Sequence, residues 1–198
     1  MNYAIIGSGA IGEALAVGFA RKGIEVSIAN TRGPASLADL AKRLGHSIKP
    51  TTIEHTATAD VVILAVPFGA VADVAHVFGT SRPRIMVDAT NAIDFPAFTP
   101  TDLGGRESSA VVGDAFAGSL VVKAFNTLPA KVLQAPGEEA GMHRVLFVSG
   151  DDDGANKEVS ALIEQLGFFP IILGRLTEGG RLQQFGGPLT LQNLLRKT

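Results

Sequence analysis

Tyr3-Ala4-Ile5-Ile6-Gly7-Ser8-Gly9-Ala10-Ile11-Gly12 is the stretch on which the fold turns. Tyr3 to Ile6 reads as a short buried strand. From Ala10 to Lys22 the apolar residues Ile11, Ala14, Leu15 and Phe19 recur close to helical spacing. Between them lies G-x-G-x-x-G. On its own this motif is weak, but after a strand and at the opening of a helix it has its confirming context. Gly7 permits a tight turn, Gly9 lets backbone approach a pyrophosphate, and Gly12 lets helix lie close on strand. The helix N-terminus then offers unpaired N–H groups and the positive end of its dipole to phosphate.

Outward from this unit the same alternation repeats. Strands are predicted at Glu25–Ala29, Ile48–Thr51, Val61–Val66, Arg84–Asp88, Leu120–Ala124, Arg144–Ser149 and Phe169–Leu173, with helices at Ala35–Leu44, Phe68–Phe78, Ser108–Ala117 and Asn156–Leu166. Thr52–Thr56 reads as a helical turn. Val61–Val66 is continuous and aliphatic, as a strand buried on both faces should be. Residues 92–107 hold two prolines and two glycines and read as a long loop. Arg181–Leu195 reads as helical, broken at Gly186-Gly187-Pro188. The pattern predicts an α/β fold of Rossmann type: a doubly wound, mostly parallel sheet with a small C-terminal elaboration. It predicts a single domain over 1–198, with 174–198 a helical appendage.

The 198 residues contain no Cys, which excludes disulfides and thiol-based redox chemistry. The four His are scattered without the spacing of a metal site. Seventeen basic residues against nineteen acidic leave no nucleic-acid footprint in the net charge. The longest aliphatic run is far shorter than the roughly 20 residues a membrane helix needs. The first strand begins too early to leave room for a signal peptide of about 15–30 residues. The expected setting is therefore cytoplasmic, with a small-molecule partner and neither nucleic acid nor membrane.

The end of the second strand speaks to the cofactor. An NAD site wants a carboxylate about 20 residues after the glycine motif, to hold the ribose hydroxyl. Here the sequence reads Asn30-Thr31-Arg32. A carboxylate would repel a 2′-phosphate, whereas Arg grips one, so NADP is favoured over NAD. Further candidates end later strands: Ala65-Val66-Pro67, Asn91-Ala92 and Asn126-Thr127, whose small, apolar and amide-bearing side chains suit a nicotinamide ring. Lys123 is a candidate catalytic amine, although a strand-end Lys more often serves structure. Asp88 is expected to cap a loop or a helix start. No acid–base pair stands out. Hydride transfer between two bound rings needs mainly proximity and alignment.

Taken in order, Gly7 to Gly12, Asn30-Thr31-Arg32, Ala65-Val66-Pro67, Asp88-Ala89-Thr90-Asn91, Val122 to Thr127, Val148 to Asp152 and Gln165 to Phe168 resemble the NADPH-dependent deazaflavin (coenzyme F420) oxidoreductase family. They are also similar to the cytosolic NADPH-binding domain of the transmembrane metalloreductases. The resemblance implies NADP held by Ser8, Ala10, Ile11, Asn30, Thr31 and Arg32. It places Val66, Pro67, Asn126 and Thr127 near the nicotinamide, and it implies a homodimer. It also implies a deazaflavin or flavin as second substrate, for which residues 92–107 and 181–187 are the positional candidates. Two alternatives stand beside it. One is a dehydrogenase of a small organic substrate completed by a dimer partner; the other is a non-catalytic NADP-sensing module.

Overall fold

The computed structural model describes residues 1–197. The chain runs β1 (Tyr3–Ile6), α1 (Ala10–Arg21), β2 (Val26–Ala29), α2 (Ala38–Leu44), β3 (Ile48–Pro50), α3 (Ile53–Thr56), β4 (Val61–Leu64), α4 (Val71–Phe78) and β5 (Ile85–Asp88). A small hairpin follows, β6 (Ile93–Asp94) and β7 (Thr99–Pro100). Next come α5 (Ser108–Ala115), β8 (Leu120–Ala124), α6 (Ala130–Gln134), β9 (Glu138–Glu139), β10 (Met142–Gly150), α7 (Asp153–Gln165), β11 (Phe169–Ile172), α8 (Arg181–Gln183) and β12 (Leu195–Lys197).

The sheet order is β3-β2-β1-β4-β5-β8-β10-β11. From β3 to β8 every pairing is parallel, in the order of a Rossmann sheet, and β10 joins β8 antiparallel. The α/β, doubly wound architecture expected above is thus the one observed.

Alternation along each central strand builds two cores. Tyr3, Ile5, Val61, Ile63, Ile85 and Val87 point to one face, where α1, α2, α6 and α7 supply Leu15, Phe19, Leu40, Leu133 and Leu162. Ala4, Ile6, Val62, Leu64 and Met86 point to the other, where Ile53, Val71, Val74, Phe78, Val112 and Phe116 come from α3, α4, α5 and the residue after it. Burial on both faces is why these strands read as unbroken aliphatic runs.

The C-terminal stretch departs from its expected helix. Leu176–Gly180 forms one wide π-helical turn, Arg181–Gln183 a single further turn, and Leu195–Lys197 pairs antiparallel with β10. The chain leaves helical geometry at Gln184 (φ −58°, ψ 155°), and Gly186 (φ 85°) then turns it before Pro188. Backbone bonds to other elements then take over: Leu191 donates to the Thr127 carbonyl (2.8 Å), and Val145 donates to the Leu194 carbonyl (2.9 Å). Thr198, the last residue of that expected appendage, lies outside the described residues. The expected loop 92–107 contains the β6–β7 hairpin. Among the described residues no helix is long and apolar enough to cross a membrane.

Candidate dinucleotide and acceptor sites

Ligands on sheets of this kind lie outside the carboxyl ends of the strands, where the winding reverses. Here that point is between β1 and β4. A cavity of about 380 Å³ opens there, lined by Gly7, Ser8, Gly9, Asn30, Thr31, Arg32, Ala65, Val66 and Pro67, with Ile6, Ile53, Ala70 and Val74 behind them. Nine of the residues singled out in the sequence therefore share one wall.

The glycine turn is set by contacts on every side except one. Gly7 sits at φ 109°, and a Cβ there would lie closer than 3.0 Å to the Ala65 carbonyl. A Cβ on Gly12 would collide in the same way with the Gly7 carbonyl. Gly9 differs: its backbone is ordinary extended chain (φ −76°, ψ −170°), and a Cβ there would meet nothing within 4 Å. The space above Gly9 is open, and no side chain caps α1, whose first N–H groups lack intrahelical acceptors. The opening fits a pyrophosphate seated on backbone. Ala10, Ile11 and Gly12 form the first turn of α1 beneath it.

Asn30 organises the rim. Its Nδ2 donates to Ser8 Oγ (2.8 Å) and Ser36 Oγ (3.0 Å), and its Oδ1 accepts the Arg32 backbone N–H (2.9 Å). The Arg32 guanidinium in turn donates to Ser8 Oγ (3.2 Å). The phosphate turn and the basic loop are thus tied together through one amide. Among the described residues Arg32 makes no ion pair. Its charge stands exposed on the rim of the cavity, without a carboxylate beside it. Ser36 escaped the sequence reading, because a lone Ser in the turn before α2 carries no periodic signal.

On the other side of the crevice, none of the predicted Asn91, Ala92, Asn126 and Thr127 is among the residues lining this cavity, and Ala92 lines the second one. Asn91 Nδ2 donates to the Asn126 carbonyl (2.9 Å), and Asn126 Nδ2 donates to Asn91 Oδ1 (3.1 Å) and the Gln183 carbonyl (2.8 Å). Thr127 is buried, with its hydroxyl unpartnered. Lys123 is fully buried and touches neither cavity wall. Its ammonium donates to Asp88 Oδ2 (2.9 Å) and the Thr90 carbonyl (3.3 Å). Lys123 thereby braces β5 against β8. Asp88, expected as a cap, does accept the Thr90 N–H (2.9 Å), and it also takes hydroxyl bonds from Thr90 (2.6 Å) and Ser109 (2.6 Å). Burial alone would raise its carboxyl. The Lys123 ammonium and these hydroxyls outweigh burial and hold it below the ordinary carboxylate range.

Beyond β5 a second cavity, of about 330 Å³, is enclosed by Ala92, Pro100, Thr101, Asp102, Leu103, Gly105, Arg106 and Ser108 on one side and Arg181, Gln184 and Phe185 on the other. The two segments proposed from position alone as a second-substrate site, 92–107 and 181–187, meet here. Lys, His, Glu and Tyr are absent from both walls; the ionisable side chains are Arg32 in the first cavity and Asp102, Arg106 and Arg181 in the second.

The family model described as "NADP oxidoreductase coenzyme F420-dependent" matches residues 2–92. A hypothetical protein of Sinorhizobium meliloti is similar at 50% identity, covering 100% of this chain and 96% of its own, with a TM-score of 0.95. A protein of Arthrobacter sp. FB24, provisionally described as an F420-dependent NADP-reductase, is 29% identical over 89% of this chain and 86% of its own (TM-score 0.72). Residues 2–92 thus carry the domain of the coenzyme F420-dependent NADP oxidoreductase family. Oxidoreductase chemistry with NADP(H) goes with that domain. Mycobacterium tuberculosis 3-hydroxyisobutyrate dehydrogenase shares the fold at 20% identity (TM-score 0.62), but this chain spans only 56% of it while covering 90% of itself. No curated protein matches the sequence.

Proposed function

We propose that this protein passes a hydride from NADPH to the ring of a deazaflavin or flavin bound in the second cavity. The observation that carries the reading is the makeup of the two walls. Reduction of a ketone or imine needs a positioned proton donor. Among the described residues the only acid on either wall is Asp102, whose Oδ1 is already engaged with the Gly104 N–H (2.9 Å). Transfer between stacked rings asks for alignment and exclusion of water instead. Ala65, Val66 and Pro67 would cover one face of a nicotinamide, and the mutual bonds of Asn91 and Asn126 would hold the loops after β5 and β8 beside its open face. NADPH, when bound, supplies two electrons and one hydrogen as hydride; the acceptor takes up one further proton from solvent, and NADP⁺ is left.

The structural neighbour named as a dehydrogenase extends well beyond the part that this chain matches, which is 56% of it. The decisive test is NADPH oxidation by the purified protein with flavin and deazaflavin acceptors. Catalytic turnover with either class supports the reading. Failure with both, alongside intact NADPH binding, points to the sensing module.

A further inference from the structure

The acceptor cavity differs from the NADP crevice in how its charges are arranged. In the crevice, Arg32 stands without a carboxylate. On the second cavity both guanidiniums are already matched: Arg106 to Asp114 (2.5 Å) and Arg181 to Glu107 (2.5 Å). Asp102 adds a third carboxylate for two cations. A phosphate or carboxylate entering here would displace one anion from an arginine only to sit beside it. At the first turn of α5, which opens onto the cavity, Gln184 Oε1 accepts the Ser108 N–H (3.3 Å), so that donor is already taken.

What the wall does offer is neutral. Ser108 is 2% exposed, lines the cavity, and its Oγ has no hydrogen-bond partner. A buried hydroxyl without a partner is costly unless something completes it. A hydroxyl can donate to a ring carbonyl or accept from a ring N–H. Phe185 supplies an aromatic surface on the same wall, braced edge-on by Phe98 at 5.5 Å and 84°. At about 330 Å³ the space is at the small end for a ligand pocket, enough for one ring system.

The geometry points to a cavity that selects the uncharged, carbonyl-bearing planar ring of the hydride acceptor through Ser108 and Phe185 and gives no grip to an anionic tail. The inference rests on the hydride-transfer reading and narrows it: the acceptor is recognised as a bare ring, so flavins with and without phosphate serve alike.

Riboflavin and FMN carry one ring and differ by a phosphate, which makes them the probes. With NADPH as donor, their kcat/KM values are expected to agree within about fivefold, the ceiling for what an exposed ion pair contributes. An FMN advantage of tenfold or more that shrinks with added salt overturns the proposal. Ser108→Ala should raise KM for both flavins alike, by about two- to tenfold for a lost neutral hydrogen bond, with an unchanged melting temperature; an effect on neither flavin counts against the ring assignment. Asp114→Asn, which strips Arg106 of its partner at an exposed position outside the cavity wall, should create a several-fold preference for FMN. An unchanged ratio there overturns the charge-balance argument. Equilibrium binding of both flavins to the NADP⁺-loaded protein separates this inference from the hydride-transfer reading. Equal binding without turnover sinks the reaction and keeps the recognition, whereas no binding of either flavin, or tighter binding of FMN, sinks the recognition itself.

Discussion

Alanine at Gly9 and alanine at Gly12 should have opposite consequences, although the two glycines stand in one turn. At Gly12 the new Cβ meets the Gly7 carbonyl, which is backbone and cannot swing away. That overpacking should cost about 3 kcal/mol or more, lowering the melting temperature by roughly 6–12 °C for a chain of this size. At Gly9 the added methyl meets no protein atom, so the melting temperature should move by less than about 2 °C while NADPH affinity falls. Calorimetry paired with titration of both variants decides it. Arg32→Ala should weaken NADPH by about 10- to 100-fold, as for a lost charge-assisted bond, and leave NADH nearly unchanged. Equal losses for the two cofactors would refute a 2′-phosphate role. Most residues of this rim were legible because each needs a special chemistry at a fixed spacing: glycine where no side chain fits, a cation where a carboxylate would repel. Ser36 and the hub role of Asn30 were not, since they depend on which side chains the turn before α2 folds together.

At the scale of elements, the Asp88–Lys123 pair joins the end of β5 to β8, and so sets the spacing of the two loops that carry Asn91 and Asn126. Removing one charge from a buried pair costs about 3–5 kcal/mol, far more than any exposed bridge, so Asp88→Asn should be strongly destabilising. The pH dependence has a definite sign. A carboxyl whose folded pKa is depressed adds stability that is fully present above its unfolded value, about 3.9, and is lost as pH falls through the folded value. The stability gap between the parent protein and Asp88→Asn should therefore stay level from about pH 5 to 8 and narrow below about pH 4; a gap that widens in acid would contradict this assignment. The strands themselves were readable because burial on both faces writes continuous aliphatic runs. The antiparallel course of β10 was not, since strand direction leaves no mark on composition, and the C-terminal turns took their form from bonds to Thr127 and Val145 far away in sequence.

For the whole molecule, ligand linkage offers a check that needs no substitution. NADPH at about a hundred times its Kd should stabilise the fold by about 2.7 kcal/mol, a rise of roughly 5–11 °C in melting temperature. NADH at the same concentration should give clearly less; an identical shift would remove the case for NADP selectivity. One further consequence follows from where the two cavities draw their walls. The crevice is lined wholly by residues 6–74, inside the matched span 2–92, while the second cavity takes its lining from 92–108 and 181–185. If the second cavity receives the acceptor as proposed, donor and acceptor preference are carried by separate stretches of chain. A library varied only at the β6–β7 hairpin, the segment leading into α5 and the turn after α8 should change which molecule is reduced while every member still draws its electrons from the same pyridine nucleotide.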